Sequence, residues 1–228
     1  MSLKINTGHK PFIMVFDFDG TITEEDIFDA VFARFADPKC WEAHRAYHDR
    51  EISMKEAYLA MAEYFRGSAE EVRDFVREFA RLRSGFKELQ AALFARGLRT
   101  MIVSNGFDIY LHYLLDFWGL DFAPEDIFCH HAEIQDGRFI PSFREHRDLR
   151  HDHCLIGKAE IIRELQEKGS FVAFAGNGWS DTPASHVADL VFARDRLARY
   201  CREHRLPSVP FSTFHEVGTY LFGGKRNA

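Results

Sequence analysis

The stretch Phe12–Thr23, reading FIMVFDFDGTIT, constrains this chain more than any other. Five apolar residues with no polar side suit a strand buried on both faces of a parallel sheet, although a buried helix segment has the same lack of pattern. The run ends in Asp17 and Asp19, followed at once by Gly20 and Thr21. Ligands of open α/β sheets bind beyond the carboxyl ends of strands, so both acids stand where chemistry is usually done. Two carboxylates at such a place can hold a divalent cation, and one can also be a nucleophile. A strand followed by a solvated acidic turn would carry the same letters.

A chain of 228 residues with 46% hydrophobic content can bury a core and still carry an insertion. Its net charge of -6 comes from interspersed acids and bases, which gives no support for nucleic-acid binding and little for membrane attachment. No apolar run has the length of a spanning helix, and no signal-peptide core is visible. The four cysteines, Cys40, Cys129, Cys154 and Cys201, are scattered and form no CxxC pair, as expected of reduced thiols in a cytoplasmic protein. A monomer or a homodimer is expected.

After Thr23 the pattern turns helical. Ile27, Phe28, Val31, Phe32 and Phe35 fall at helical spacing until Asp37-Pro38. Ser53 with Glu56, and Ser68 with Glu71, predict two capping boxes. Several helices where one crossover would suffice mark 24–83 as a helical insertion, with 1–23 and 84–228 forming an α/β core. The phenylalanines in this segment are expected in the core. Beyond it, Phe86 to Arg96 reads as a helix, and Leu98 to Val103 as a strand ending in Ser104-Asn105-Gly106. With a helix from Phe107, these residues would offer an anion cradle of backbone N–H groups and a hydroxyl. Asp136-Gly137 predicts a hairpin turn between Ile127 and Ile140.

The polar run holding His146, His151, His153 and Cys154 has ligand chemistry for a transition metal, but its spacing fits no zinc pattern and a solvated loop is expected. Lys158 opens the next helix, on the unfavourable side of the helix dipole unless an anion is held there. Phe171 to Ala175 reads as a buried strand ending in GNGWSD, with Asn177 and Asp181 beyond it. Asp189 to Ala193 predicts a further strand, then a helix, and Phe211 to Phe222 a last strand and helix. Alternating strands and helices after the insertion indicate a doubly wound, Rossmann-like α/β core.

DxDGT, SNG, Lys158 and GNxxxD, in this order, resemble the four motifs of the haloacid dehalogenase superfamily of phosphatases. With an insertion between the first two motifs, the chain is most similar to the phosphoserine-phosphatase-like branch, whose cap is a small helical bundle. KPFIMVFDFDGTITEED, SDTPASHVADLVFARD and ARYCREHRLPSVPFSTFHEV resemble the methionine-salvage phosphatases within it. The resemblance implies a Mg²⁺-dependent phosphatase for a small phosphorylated metabolite, working through an aspartyl-phosphate. It implies Asp17 as nucleophile and Asp19 as acid and base, with Ser104, Asn105 and Lys158 on the phosphoryl group. Asp17, Asp19, Asn177 and Asp181 would hold the metal. Asn177 stands where the superfamily has Asp, which removes one negative charge from that set. Phosphoserine phosphatases carry Glu nine residues after the nucleophile to read the amine. Asp26 occupies that place here and is the candidate specificity residue. Alternatives are a phosphoserine or phospho-amino-alcohol phosphatase, and a catalytically weak protein that binds phospho-ligands.

Overall fold

The computed structural model describes residues 3–144 and 155–223. His146, His151, His153 and Cys154 lie outside the described residues. Seven strands form one sheet: β1 (Phe12–Phe16), β2 (Arg99–Phe107), β3 (Ile127–Gln135), β4 (Arg138–Ser142), β5 (Phe171–Gly176), β6 (Leu190–Ala193) and β7 (Val209–Pro210). Their order is β4-β3-β2-β1-β5-β6-β7, parallel throughout except for the β3–β4 hairpin. From β1 the chain builds outward to β4 on one side, then crosses to β5 and builds outward on the other. That reversal makes β1 the switch point, where such sheets leave a crevice.

All five residues of β1 are buried, as its uninterrupted apolar run requires. Register then sets the site. Phe16 pairs with Ile102 of β2 and with Ala175 of β5, so the residues just beyond these three emerge side by side.

Between β1 and β2 lie α1 (Ile27–Phe35), α2 (Cys40–His48), α3 (Met54–Glu63) and α4 (Ala69–Phe79), followed by α5 (Phe86–Phe94) beneath the sheet strands. The capping boxes at Ser53–Glu56 and Ser68–Glu71 form as predicted, each side chain bonding the other residue's main chain. The phenylalanines are core: Phe28, Phe32 and Phe65 are buried core and pack against Phe107 of β2 and Phe139 of β4, whereas Phe35 and Phe75 are half-buried and Phe79 is exposed. The helical segment thus shares one apolar cluster with the hairpin side of the sheet. The hairpin turns through Asp136 and Gly137, at φ 49° and 75°, the paired left-handed conformation such sequences favour.

Then follow α6 (Asp108–Trp118), α7 (Lys158–Glu167), α8 (Thr182–Ser185), α9 (Asp195–Glu203) and α10 (Phe214–Phe222). Two boundaries depart from expectation: the last strand, β7, lies just before the segment 211–222 predicted to hold it, and β2 runs further than predicted. The strand predicted to end at Val103 continues through Phe107, because Phe107 is fully buried and pairs with His130. No helix among the described residues is long and apolar enough to cross a membrane. Cys40, Cys129 and Cys201 are free thiols.

Candidate active site

Beyond β1 the chain makes a tight turn, with the Thr23 N–H donating to the Phe18 carbonyl at 3.1 Å. Gly20 sits in it at φ 71°, and a side chain there would collide with the Asn177 carboxamide. Glycine therefore lets the first acidic turn pack directly on the loop after β5.

Asp17 is 6% exposed, Lys158 1% and Asp181 fully buried. The Lys158 ammonium donates to Asp17 Oδ1 and to Asp181 Oδ1, both at 2.6 Å. Asp181 Oδ2 accepts from the N–H groups of Asn177 and Gly178, each at 2.8 Å. Both of its oxygens are therefore in use as struts for the lysine and the loop. Burial, reinforced by the Asp181 carboxylate, pushes Asp17 up to about 7 against the pull of Lys158.

Asp19 accepts from the Ile27 N–H at 3.1 Å and from the Tyr110 hydroxyl at 2.9 Å. Burial, with Asp26 and Asp17 nearby, holds its carboxyl well above the usual carboxylate range. Asp19 is thus a half-buried acid whose surroundings favour the protonated form. Asp26 caps α1, accepting from the Asp29 N–H at 2.9 Å. Its place in the cleft mouth beside the Asp29 carboxylate raises its carboxyl above the usual carboxylate range, although the residue itself stays open to solvent.

Ser104 is fully buried and lies in a bulge where β2 slips its register against β3. Its Oγ accepts from the Gly106 N–H at 3.0 Å, and Asn105 Oδ1 accepts from the Ile156 N–H at 3.2 Å. The bulge runs directly into α6, which opens at Asp108 with Phe107 as its N-cap, one residue later than expected.

Asp17, Asp19, Asp26, Ser104, Asn105 and Asn177 line one open cleft of about 290 Å³. Lys158 and Asp181 are its supports from behind. The far wall belongs to the helical segment, where Phe28, His44, Tyr47, Met54 and Tyr58 face in, with Arg196 of α9 at the rim. No sequence motif pointed to that wall, nor to Arg83, which is 93% buried behind the acidic turn and binds its carbonyls.

The donors around Asp17 suit a hard cation by one test. The Thr21 hydroxyl lies 3.1 Å from Asp17 Oδ2 and 3.0 Å from Asn177 Oδ1. It has one proton for two acceptors, so one of these oxygens always lacks a donor. Among the described residues no three His, Cys, Asp or Glu side chains form a metal cluster; carboxamide and main-chain oxygens would have to complete the set.

A doubly wound sheet with buried acids, a lysine and a serine gathered at its switch point defines an enzyme of anionic group transfer. The model of the haloacid dehalogenase-like hydrolases matches residues 14–186. A 2-hydroxy-3-keto-5-methylthiopentenyl-1-phosphate phosphatase of Bacillus thuringiensis (strain Al Hakam) is 31% identical over 212 residues, covering 92% of this chain and 95% of that protein. The protein of the same name from Bacillus velezensis is 33% identical, over 91% and 88% of the two chains. A solved phospho-aspartyl intermediate analogue of phosphoserine phosphatase superposes with a TM-score of 0.68 at 18% identity, covering 93% and 99%. The chain belongs to the haloacid dehalogenase-like hydrolases and is a phosphatase.

Proposed function

We propose that the chain hydrolyses the phosphomonoester of a small metabolite by two displacements at Asp17. An Asp17 oxygen attacks phosphorus and the bond to the leaving oxygen breaks, while Asp19 gives that oxygen its proton. Water then attacks the aspartyl-phosphate, Asp19 takes the water's proton, and inorganic phosphate leaves. Asp19 must begin protonated, which agrees with its raised pKa. Lys158 pulls Asp17 toward its ionised form from behind, while Ser104 and Asn105 face the phosphoryl oxygens. Mg²⁺, held by Asp17, the Asp19 carbonyl and Asn177, with Asp181 behind, would offset the charge of phosphate meeting carboxylate. With both Asp181 oxygens already engaged, Asn177 is the better placed of the pair to face the metal. The helical segment 24–83 serves as the cap that covers the cleft.

The observation that carries this reading is the buried Asp17–Lys158–Asp181 chain opening onto the same cleft as Ser104. For the substrate, the finer proposal is the methionine-salvage enol phosphate named for the Bacillus relatives. Phe28, Met54 and Tyr58 give the cleft an apolar side suited to an uncharged tail. Asp26 spends an oxygen on its helix cap and is easily protonated, so it makes a poor reader of the phosphoserine ammonium.

A panel of the enol phosphate, phosphoserine, phosphoethanolamine and 4-nitrophenyl phosphate, with and without Mg²⁺, tests both levels. Metal-dependent turnover that favours the enol phosphate is expected. Preference for phosphoserine would overturn the substrate. Absence of hydrolysis across the panel would favour a phospho-ligand-binding protein.

A further inference from the structure

Arg83 has no part in the chemistry so far, yet its surroundings are unusual for a buried cation. Its Nε donates to the Thr21 carbonyl at 2.7 Å, and its Nη2 to those of Gly20 at 2.9 Å, Thr23 at 2.7 Å and Glu24 at 3.2 Å. No carboxylate of the described residues forms an ion pair with it. Four carbonyls of one short turn thus converge on a single guanidinium.

The turn they belong to brackets Asp19. Gly20 follows Asp19 directly, and Glu24 leads into α1, whose Ile27 N–H holds Asp19 Oδ1. The same turn is strapped by main chain to the return strand of the insertion. The Arg83 N–H donates to the Ile22 carbonyl and the Glu24 N–H to the Arg81 carbonyl, both at 2.9 Å, with Thr23 and Leu82 bridged. Without a cation, four carbonyl dipoles pointing into one buried spot would repel each other and lack donors. The turn would relax, and Asp19 would move with it.

We infer that Arg83 is a positioning residue for the proton transfers of Asp19, a role that rests on the phosphatase reading. It acts through the turn without touching substrate. Lysine cannot replace it, because an ammonium is a point donor where a fork is needed to reach carbonyls on both sides of the turn.

The leaving group separates positioning from simple support. An alkoxide needs the proton of Asp19 as it departs, whereas 4-nitrophenolate departs without help. Arg83→Lys and Arg83→Gln are therefore assayed with Mg²⁺ on an alkyl phosphate that the wild type hydrolyses and on 4-nitrophenyl phosphate, well below each variant's Tm. The alkyl kcat is expected to fall roughly 100-fold, as for a reacting group misplaced by about an ångström, with KM within about threefold. The first-step rate for the aryl ester, read as the burst of 4-nitrophenol, should fall at least about tenfold less than the alkyl kcat, its smaller loss coming through Thr21, whose hydroxyl touches Asp17 and Asn177.

Equal losses on both esters, unchanged rates, or variants that cannot fold would each overturn the positioning role and leave Arg83 a structural strut. A wild type that hydrolyses neither ester would instead strike at the phosphatase reading itself.

Discussion

Two polar clusters border the same cleft and could hardly differ more. On its floor, Lys158 meets Asp17 and Asp181 at 2.6 Å, with all three side chains at most 8% exposed. On its wall, His44 stands 3.6 Å from Asp29, with the side chains 24% and 41% exposed. The floor pairs sit where water is excluded, so each charge depends on the others. The wall contact is long, and burial with Arg196 nearby holds the His44 imidazole below its usual pKa, so it is no fixed ion pair and contributes little. On the floor, Asp17 follows a strand whose register is fixed by main-chain ladders, Lys158 opens α7 and Asp181 lies in the turn after β5, while the wall residues ride on helices that only pack. The chemistry is thus held rigidly, and the wall is free to fit a particular metabolite.

Removing the lysine attacks the floor most directly. Lys158→Met leaves two buried carboxylates facing each other without their cation, and should cost roughly 3–5 kcal/mol in stability, read by urea denaturation. Turnover should drop by about 100-fold or more, as when a charged stabiliser of a reacting group is lost. A variant within a few-fold of wild type in both would erase the contrast between floor and wall.

His44→Ala probes the other side. Stability should fall by about 1 kcal/mol, the usual size for a single change, since the half-buried ring also packs on Trp41 and His48. The KM for the preferred substrate should rise up to about tenfold, as for one lost pocket contact, while kcat on 4-nitrophenyl phosphate holds within about twofold. A collapse of kcat on both substrates would place His44 with the floor.

Asp26 lies between the two regions, and pH separates its parts. Its carboxyl is raised to about 7 in the fold from an ordinary 3.8. Below pH 4 both folded and unfolded chains hold that proton, and the group is neutral for stability. Between pH 4 and 7 the unfolded chain releases it more readily, so the fold loses stability as pH rises. Asp26→Asn keeps a good helix cap and has no proton to lose. Its Tm relative to wild type should therefore increase from pH 4.5 to pH 7.5 in metal-free buffer, and a flat difference would mean that Asp26 ionises freely.

This contrast also explains what could be read from the sequence. DxDGT, SNG, Lys158 and GNGWSD were legible through their order, which resembles a superfamily's four motifs, although Lys158 meets partners 141 and 23 positions away only in the fold. The capping boxes at Ser53 and Ser68 were legible because main chain and side chain act there within a few residues. The wall was not, because His44, Tyr47 and Tyr58 carry no local pattern and face the cleft only once α1 to α4 pack on Phe107 and Phe139. Arg83 was hidden too: its partners lie some sixty positions earlier, and a lone arginine before Ser84-Gly85 looks like any surface residue. The bulge at Ser104 escaped because burial of Phe107, a tertiary fact, keeps the chain extended where the letters suggest a helix.

The central claim is that Asp17 carries the phosphoryl group, and acid quenching during steady turnover tests it most directly. Peptide mass mapping should find one added phosphoryl group on the peptide containing Asp17, absent from Asp17→Asn protein, which should also lack turnover. An added group on another residue, or wild-type turnover by the Asp17→Asn variant, would contradict it.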